Sequence, residues 1–157
     1  MKKTNAARLL DSRKIKYDMV EYKVNEDDLS AIHVAATLGQ NVQQVFKTLV
    51  LRGNANGIFV AIIPGNEEVS LKKAAKISGN KNAEMVQMKE LMPLTGYIRG
   101  ACSPFGMKKQ YPTYIHESCL NYETIFVSAG MRGLQLQLNP HDLISCISAE
   151  VCDLINE

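Results

Sequence analysis

The segment that most restricts this chain lies in its first half, where two apolar runs flank Asn54-Ala55-Asn56-Gly57. Lys47-Thr48-Leu49-Val50-Leu51-Arg52 reads as one strand, and Ile58-Phe59-Val60-Ala61-Ile62-Ile63 as its return. An Asn-Gly pair supplies the positive φ of a tight connection, so the whole reads as a β-hairpin. The second arm has no polar face. That pattern predicts a central strand buried on both sides.

Local signals divide the rest. Thr4 caps a predicted helix to about Lys14, with Ala7, Leu10 and the Lys14 stem on its inner face. Ile15 to Tyr22 alternates as a strand does, and Asn25 to Asp28 is an acidic turn. Ser30 caps a helix through Leu38, which Gly39 stops, and a short helical turn follows at Asn41 to Val45. Ser70 caps a helix through Ile77, closed by Gly79. Ala83 to Gln87 is a short strand and Lys89 to Leu94 a short helix. Strands return at Thr113 to Ile115, Thr124 to Ser128 and Leu134 to Leu138, the last two joined through Ala129 to Gly133. Asn139 or Pro140 opens a helix to about Ile147, and Val151 to Ile155 ends the pattern. Helices and strands mix without a βαβ period, and no repeat or linker interrupts them. The expectation is one α+β domain over residues 1–157, with a mixed, partly barrel-like β-sheet flanked by helices.

Composition narrows the function. A formal charge of +2 argues against a polybasic nucleic-acid binder, whose affinity comes from many phosphate contacts. It leaves room for a protein that grips one end of an RNA. Cys102, Cys119, Cys146 and Cys152 form no C-x-x-C pair, and His33, His116 and His141 stand at no metal-ligand spacing to them. The expectation is reduced thiols, no metal and no cofactor. The N-terminus starts basic, but Arg8, Asp11, Arg13 and Lys14 break any apolar signal region, and no stretch reaches the ~20 apolar residues of a membrane helix. The expected location is the cytoplasm, away from membranes.

Three segments carry more than scaffold needs. Lys47 opens an otherwise apolar strand, a placement suited to a phosphate or a developing oxyanion. Gly96 to Gly106 holds three glycines and Pro104, so its backbone can approach a ligand closely. Val127-Ser128-Ala129-Gly130-Met131-Arg132-Gly133 ends a strand in small residues and sets Arg132 between flexible positions.

In order and spacing these segments resemble the YbaK/EbsC-type family of Cys-tRNA(Pro) deacylases, relatives of the editing domain of bacterial prolyl-tRNA synthetases. The resemblance runs through Phe46-Lys47-Thr48-Leu49, Leu71 to Lys76, Thr95-Gly96-Tyr97, Ser103-Pro104-Phe105-Gly106, Glu123 to Ser128 and Arg132-Gly133-Leu134. It implies a mixed sheet partly closed into a barrel, and hydrolysis in trans of mischarged aminoacyl-tRNA, Cys-tRNA(Pro) first and Cys-tRNA(Cys) beside it. Lys47 matches the family's essential lysine. Tyr22, Thr48, Gly100, Ser128 and Gly130 match positions that line the substrate cavity, Ser103 lies in the matching Ser-Pro loop, and Arg132 in the second wall. Where the family pattern has glycine, this chain has Ala101 and Ala129, and Gln135 stands where some relatives carry Asp. A Cβ at either alanine costs ~1 kcal/mol if φ is positive, and narrows the pocket.

No Ser-His-Asp set, metal cluster or carboxylate base appears. Cys102, Ser103 and Ser128 are nucleophiles without a neighbouring base. An activated ester can be cleaved by positioning and electrostatics. Lys47 would hold the terminal-adenosine end and N–H groups near Gly100 and Gly130 would polarise the carbonyl. The cysteine thiol, or the ribose 2′-hydroxyl through a water, would attack. Lys72, Lys73, Lys76, Lys108 and Lys109 form a candidate basic rim for the acceptor stem. The resemblance also implies prolyl-tRNA synthetase as partner. An Ala-tRNA(Pro) deacylase and a non-catalytic module for tRNA ends or nucleotides are the alternatives.

Overall fold

A computed structural model describes residues 3–156. Met1 and Lys2 of the basic start lie outside the described residues. α1 (Asn5–Ser12) begins where Thr4 accepts a hydrogen bond from the Ala7 N–H at 3.2 Å, and it buries Ala6, Ala7 and Leu10. It ends before Lys14, whose φ is +57°. That left-handed turn sends the chain into β1 (Asp18–Glu21) and leaves the Lys14 stem exposed, not on the inner face. Pairing trims β1 from the longer alternating run.

α2 (Ala31–Leu38) starts at Ser30, whose Oγ accepts from the His33 N–H at 3.2 Å, and stops at Gly39. The hairpin follows as β2 (Phe46–Gly53) and β3 (Gly57–Pro64), paired in full register. Then come α3 (Leu71–Ile77), β4 (Ala83–Met85), α4 (Met88–Thr95), β5 (Thr113–His116), β6 (Ile125–Ser128), β7 (Leu134–Leu138), α5 (Pro140–Ile147) and β8 (Glu150–Cys152). A 3-10 turn at Glu117–Asn121 has no counterpart among the sequence signals.

The fold is α+β. The strands form two sheets rather than one. A mixed sheet has the order β4-β2-β3-β5-β8, with β3 at its centre, and an antiparallel sheet has the order β1-β7-β6. They meet at a single parallel bridge, Val45–Phe126, so the described strands do not close a barrel by hydrogen bonding. β3 alternates between two cores: Val60 and Ile62 join Leu10, Phe105, Leu136 and Leu143 on one side, while Phe59, Ala61 and Ile63 lie with Ala74 of α3 on the other. No helix among the described residues is long and apolar enough to cross a membrane.

The two sheets create an opening. β3 covers one edge of β2 throughout. On the other edge β4 joins only at Leu51–Gly53, and β6 reaches only Val45. Between them, among the described residues, Phe46 to Leu49 have no strand partner on that edge, and the Val50 carbonyl accepts from the Val86 N–H at 3.1 Å. Arg52 of β2 clasps Glu90 of α4 through two nitrogen–oxygen contacts, at 2.7 and 3.2 Å. Glu90 also accepts from the Gln87 N–H at 2.9 Å, and these bonds hold its carboxyl down at about 2. α4 is thereby fixed along one side of the opening.

Candidate functional site

Over that unpaired edge lies a cavity of about 690 Å³. Its floor is Val45 to Val50. Its sides are the start of α2, the junction of β4 with α4, the Arg99-Gly100-Cys102 loop, and Ser128 with Gln135 from the other sheet.

Lys47 is half-buried in this wall. Loss of hydration pulls its ammonium pKa below the ordinary lysine value, against a smaller upward pull from Glu68 and Glu67. None of the described hydrogen bonds or ion pairs engages its Nζ. Among the described residues the neighbouring Thr48 hydroxyl is buried without a hydrogen-bond partner, and so is Gln135 Oε1. Their pairing capacity is costly to leave unused. The Leu-Gln-Leu-Gln-Leu alternation of β7 explains Gln135: Leu134, Leu136 and Leu138 face the core, and the glutamine faces the cavity. In register it sits across from Ser128.

Ser128 fastens the two loops. Its hydroxyl donates to the Ala101 carbonyl at 2.9 Å and accepts from the Gly130 N–H at 3.1 Å. Its proton is therefore engaged. The Gly130 N–H is engaged too, which corrects the expectation that it would polarise a substrate carbonyl. The Ala101 N–H is spent on the Ile98 carbonyl at 3.0 Å. Gly130, at φ +100°, stands off the cavity wall against the Tyr97 ring, where a Cβ would lie 2.9 Å from a ring carbon. The Tyr97 hydroxyl in turn donates to the Phe105 carbonyl at 2.5 Å. Positive φ falls on Gly100 and Gly130, not on Ala101 or Ala129. Both alanines are buried away from the cavity wall, so neither strains the backbone or narrows the space.

Of the residues expected at the site, Lys47, Thr48, Gly100 and Ser128 meet around one cavity. Tyr22 packs behind the wall with Val34, Ala35, Val45 and Phe126. Ser103 is fully buried in its loop and accepts from the Phe105 N–H at 3.2 Å. Arg132 stands behind Arg99, donating from Nε to its carbonyl at 2.9 Å. Cys102 reaches the wall, but burial pushes its thiol up to about 12, so it stays protonated. None of the five rim lysines lines the cavity. Lys73 bonds Asp153 and the Ile155 carbonyl, both at 2.8 Å, and Lys109 lies 5.9 Å from the Tyr111 ring centre. Ile32, Met85 and Met88 line the cavity without any sequence motif to announce them, whereas Arg99 belongs to the Gly96–Gly106 loop. The one available hint was apolar residues standing where a surface strand end or first helical turn is usually polar.

Residues 26–146 match the family described as the aminoacyl-tRNA editing domain. The chain belongs to that family. An editing-domain relative from Enterococcus faecalis, EbsC, is named for a proposed Cys-tRNA(Pro)/Cys-tRNA(Cys) deacylase activity. It is 49% identical over 152 residues, 97% of this chain and 93% of that one. A proline–tRNA ligase of Thermosipho africanus is 26% identical over 98 residues, 62% of this chain but 17% of the ligase. Among solved structures, a protein described as a proposed trans-editing enzyme for prolyl tRNA synthetase superposes with a TM-score of 0.83. It is 24% identical, with 99% of this chain and 100% of that one covered, and shows the shared editing-domain fold.

Proposed function

We propose that this editing-domain protein is a trans-acting hydrolase that removes cysteine from mischarged tRNA, Cys-tRNA(Pro) and Cys-tRNA(Cys), in the cavity over β2. The observation that carries the reading is Lys47: a half-buried cation without a direct partner among the described residues, lining one cavity with two buried polar atoms that also lack one. A site with its pairing capacity unspent suits a polar ligand, and the extent of the match to EbsC supports the choice of ligand.

The chemistry follows from what is and is not free. Ser128 has committed its proton, and Cys102 is held as a neutral thiol. Neither is a ready nucleophile. Lys47 instead meets the negative charge that develops on the ester or on the departing terminal ribose. Thr48 and Gln135 orient the aminoacyl group. The attacking group comes from the substrate side: the cysteine thiol on its own ester carbonyl, or the ribose 2′-hydroxyl through a water. On the thiol route a carbon–sulfur bond forms as the ester carbon–oxygen bond breaks, the thiol proton passes to the 3′-oxygen, and water then opens the thiolactone to cysteine. On the other route the 2′-hydroxyl helps deliver a water that adds to the carbonyl, its proton passing to the 3′-oxygen as free cysteine leaves. A cytoplasmic prolyl-tRNA synthetase is the partner we propose to present the acceptor end.

Deacylation of labelled Cys-tRNA(Pro) tests this directly. Lys47→Ala should slow cleavage about 100-fold or more, with the fold intact by circular dichroism. A substrate with its thiol alkylated separates the two attacking groups: unchanged cleavage would exclude the thiol. A folded wild-type protein that clears neither cysteinyl-tRNA would overturn the reading.

A further inference from the structure

The mouth of the cavity carries three large apolar side chains beside the exposed polar residues Asp27, Asp28, Gln87 and Arg99. Ile32 stands in the first turn of α2, Met85 ends β4, and Met88 opens α4, and all three line the cavity. They are also unusually exposed, at 57%, 44% and 63%. Three large apolar side chains left in water around one opening mark a surface that gains by being covered. The strip is continuous with the interior, since Leu29 and Leu91 line the wall from the same two segments.

The chemistry of an aminoacyl ester decides what covers it. With the acyl group at Lys47, the ribose lies one ester bond away and its base one glycosidic bond further. The nucleoside must therefore occupy the mouth. The unpaired edge from Phe46 to Leu49 spans roughly 10 Å at a strand's rise per residue. The cavity's 690 Å³ exceeds the needs of one amino-acid side chain and falls in the range that encloses a nucleoside-sized ligand. Methionine suits a flat ring, because its unbranched thioether adapts in shape and makes favourable sulfur–aromatic contacts.

We propose that Ile32, Met85 and Met88 form a lip on which the terminal nucleobase of the RNA acceptor end lies. The proposal rests on the reading of the site as an aminoacyl-tRNA deacylase. The lip recognises a ring face rather than hydrogen-bonding edges, so it anchors the end of the RNA without reading its sequence. Arg99, exposed at the same cavity, is placed for the adjoining phosphate.

The test uses the full chain labelled with 13C at its methionine methyls. The titrants are an uncharged RNA hairpin with a single-stranded CCA end and the same hairpin with an abasic terminal ribose. The Met85 and Met88 signals, assigned with Met85→Leu and Met88→Leu, should move upfield by ring current with the first RNA and not with the second. Met88→Ser, at an exposed position, should raise KM for charged tRNA about ten-fold while kcat changes by less than about two-fold. Equal shifts with both RNAs, no shift with either, or shifts confined to Met92 or Met131 would overturn the lip. A wild-type protein that binds the CCA-ended RNA through Met85 and Met88 yet cleaves no charged tRNA would overturn the deacylase reading alone.

Discussion

Lys47 carries its charge where water is scarce, and that has a consequence in pH. Desolvation lowers its pKa from the ordinary 10.5, so the cation is lost on alkalinisation earlier than for an exposed lysine. If the charge drives deacylation, enzymatic rates corrected for spontaneous hydrolysis should fall as pH rises through a midpoint below 10.5. Lys47→Arg should keep whatever activity it has across that range, because guanidinium does not deprotonate there. Parallel profiles for the two proteins would assign the fall to another group. At the neighbouring turn, the two small residues play opposite parts. Ala129 has ordinary backbone angles and a buried methyl, so Ala129→Gly should cost about 0.5–1 kcal/mol in urea unfolding without changing amino-acid preference. Gly130→Ala meets both a positive φ and the Tyr97 ring, and should cost about 1–3 kcal/mol.

Among the elements, the hairpin of β2 and β3 bears the site at one end and is anchored at the other. Asn80 Oδ1 accepts from the N–H groups of Ala55 and Asn56, at 2.9 and 2.7 Å, and its amide donates to Ser78 Oγ at 2.8 Å. Asn80 is 8% exposed, so water replaces these bonds poorly. Asn80→Ala should therefore cost about 2–3 kcal/mol. The turn lies roughly 20 Å along β2 from Lys47, so deacylation per folded molecule should stay near wild type. A stability loss accompanied by a large fall in kcat would mean that the turn and the site are coupled.

At the scale of the molecule, the C-terminal segment is stitched onto the larger sheet. The Ser70 N–H donates to the Leu154 carbonyl at 2.6 Å, and the Leu154 N–H donates to His116 Nδ1 at 3.2 Å. His116 must be neutral at that nitrogen to accept. Its pKa is lowered chiefly by burial, against upward pulls from Asp153, Glu117 and Glu67, with Lys73 adding to the fall. The unfolded chain therefore takes up the proton first as pH drops. The stability tied to neutral His116 is complete above the ordinary value of 6.5, and is lost as pH falls from there through the lower folded value. Urea midpoints at pH 7.5 and 5.5 should show that loss, and His116→Gln should lessen it. An unchanged pH dependence in the variant would move the effect to the carboxylates.

What the order of residues determined by itself is local. Caps at Thr4, Ser30 and Ser70, the Asn-Gly turn and the alternation of β7 act within a few residues of one another, so they can be read in a line. Lys47 and Ser128 were legible through the resemblance, and Gln135 stood out as a departure from it. Tertiary structure decided the rest. Only the divergence of β6 from β4 along β2 opens the cavity, and residues from Asp27 to Gln135 enclose it. No spacing along the chain encodes that meeting. The hydrogen bonds of Ser128 settled which loop amides were spent, and the backbone angles settled that Ala101 and Ala129 bear no strain. These outcomes depend on which groups long-range packing brings within about 3 Å of each other, a distance that sequence separation does not set.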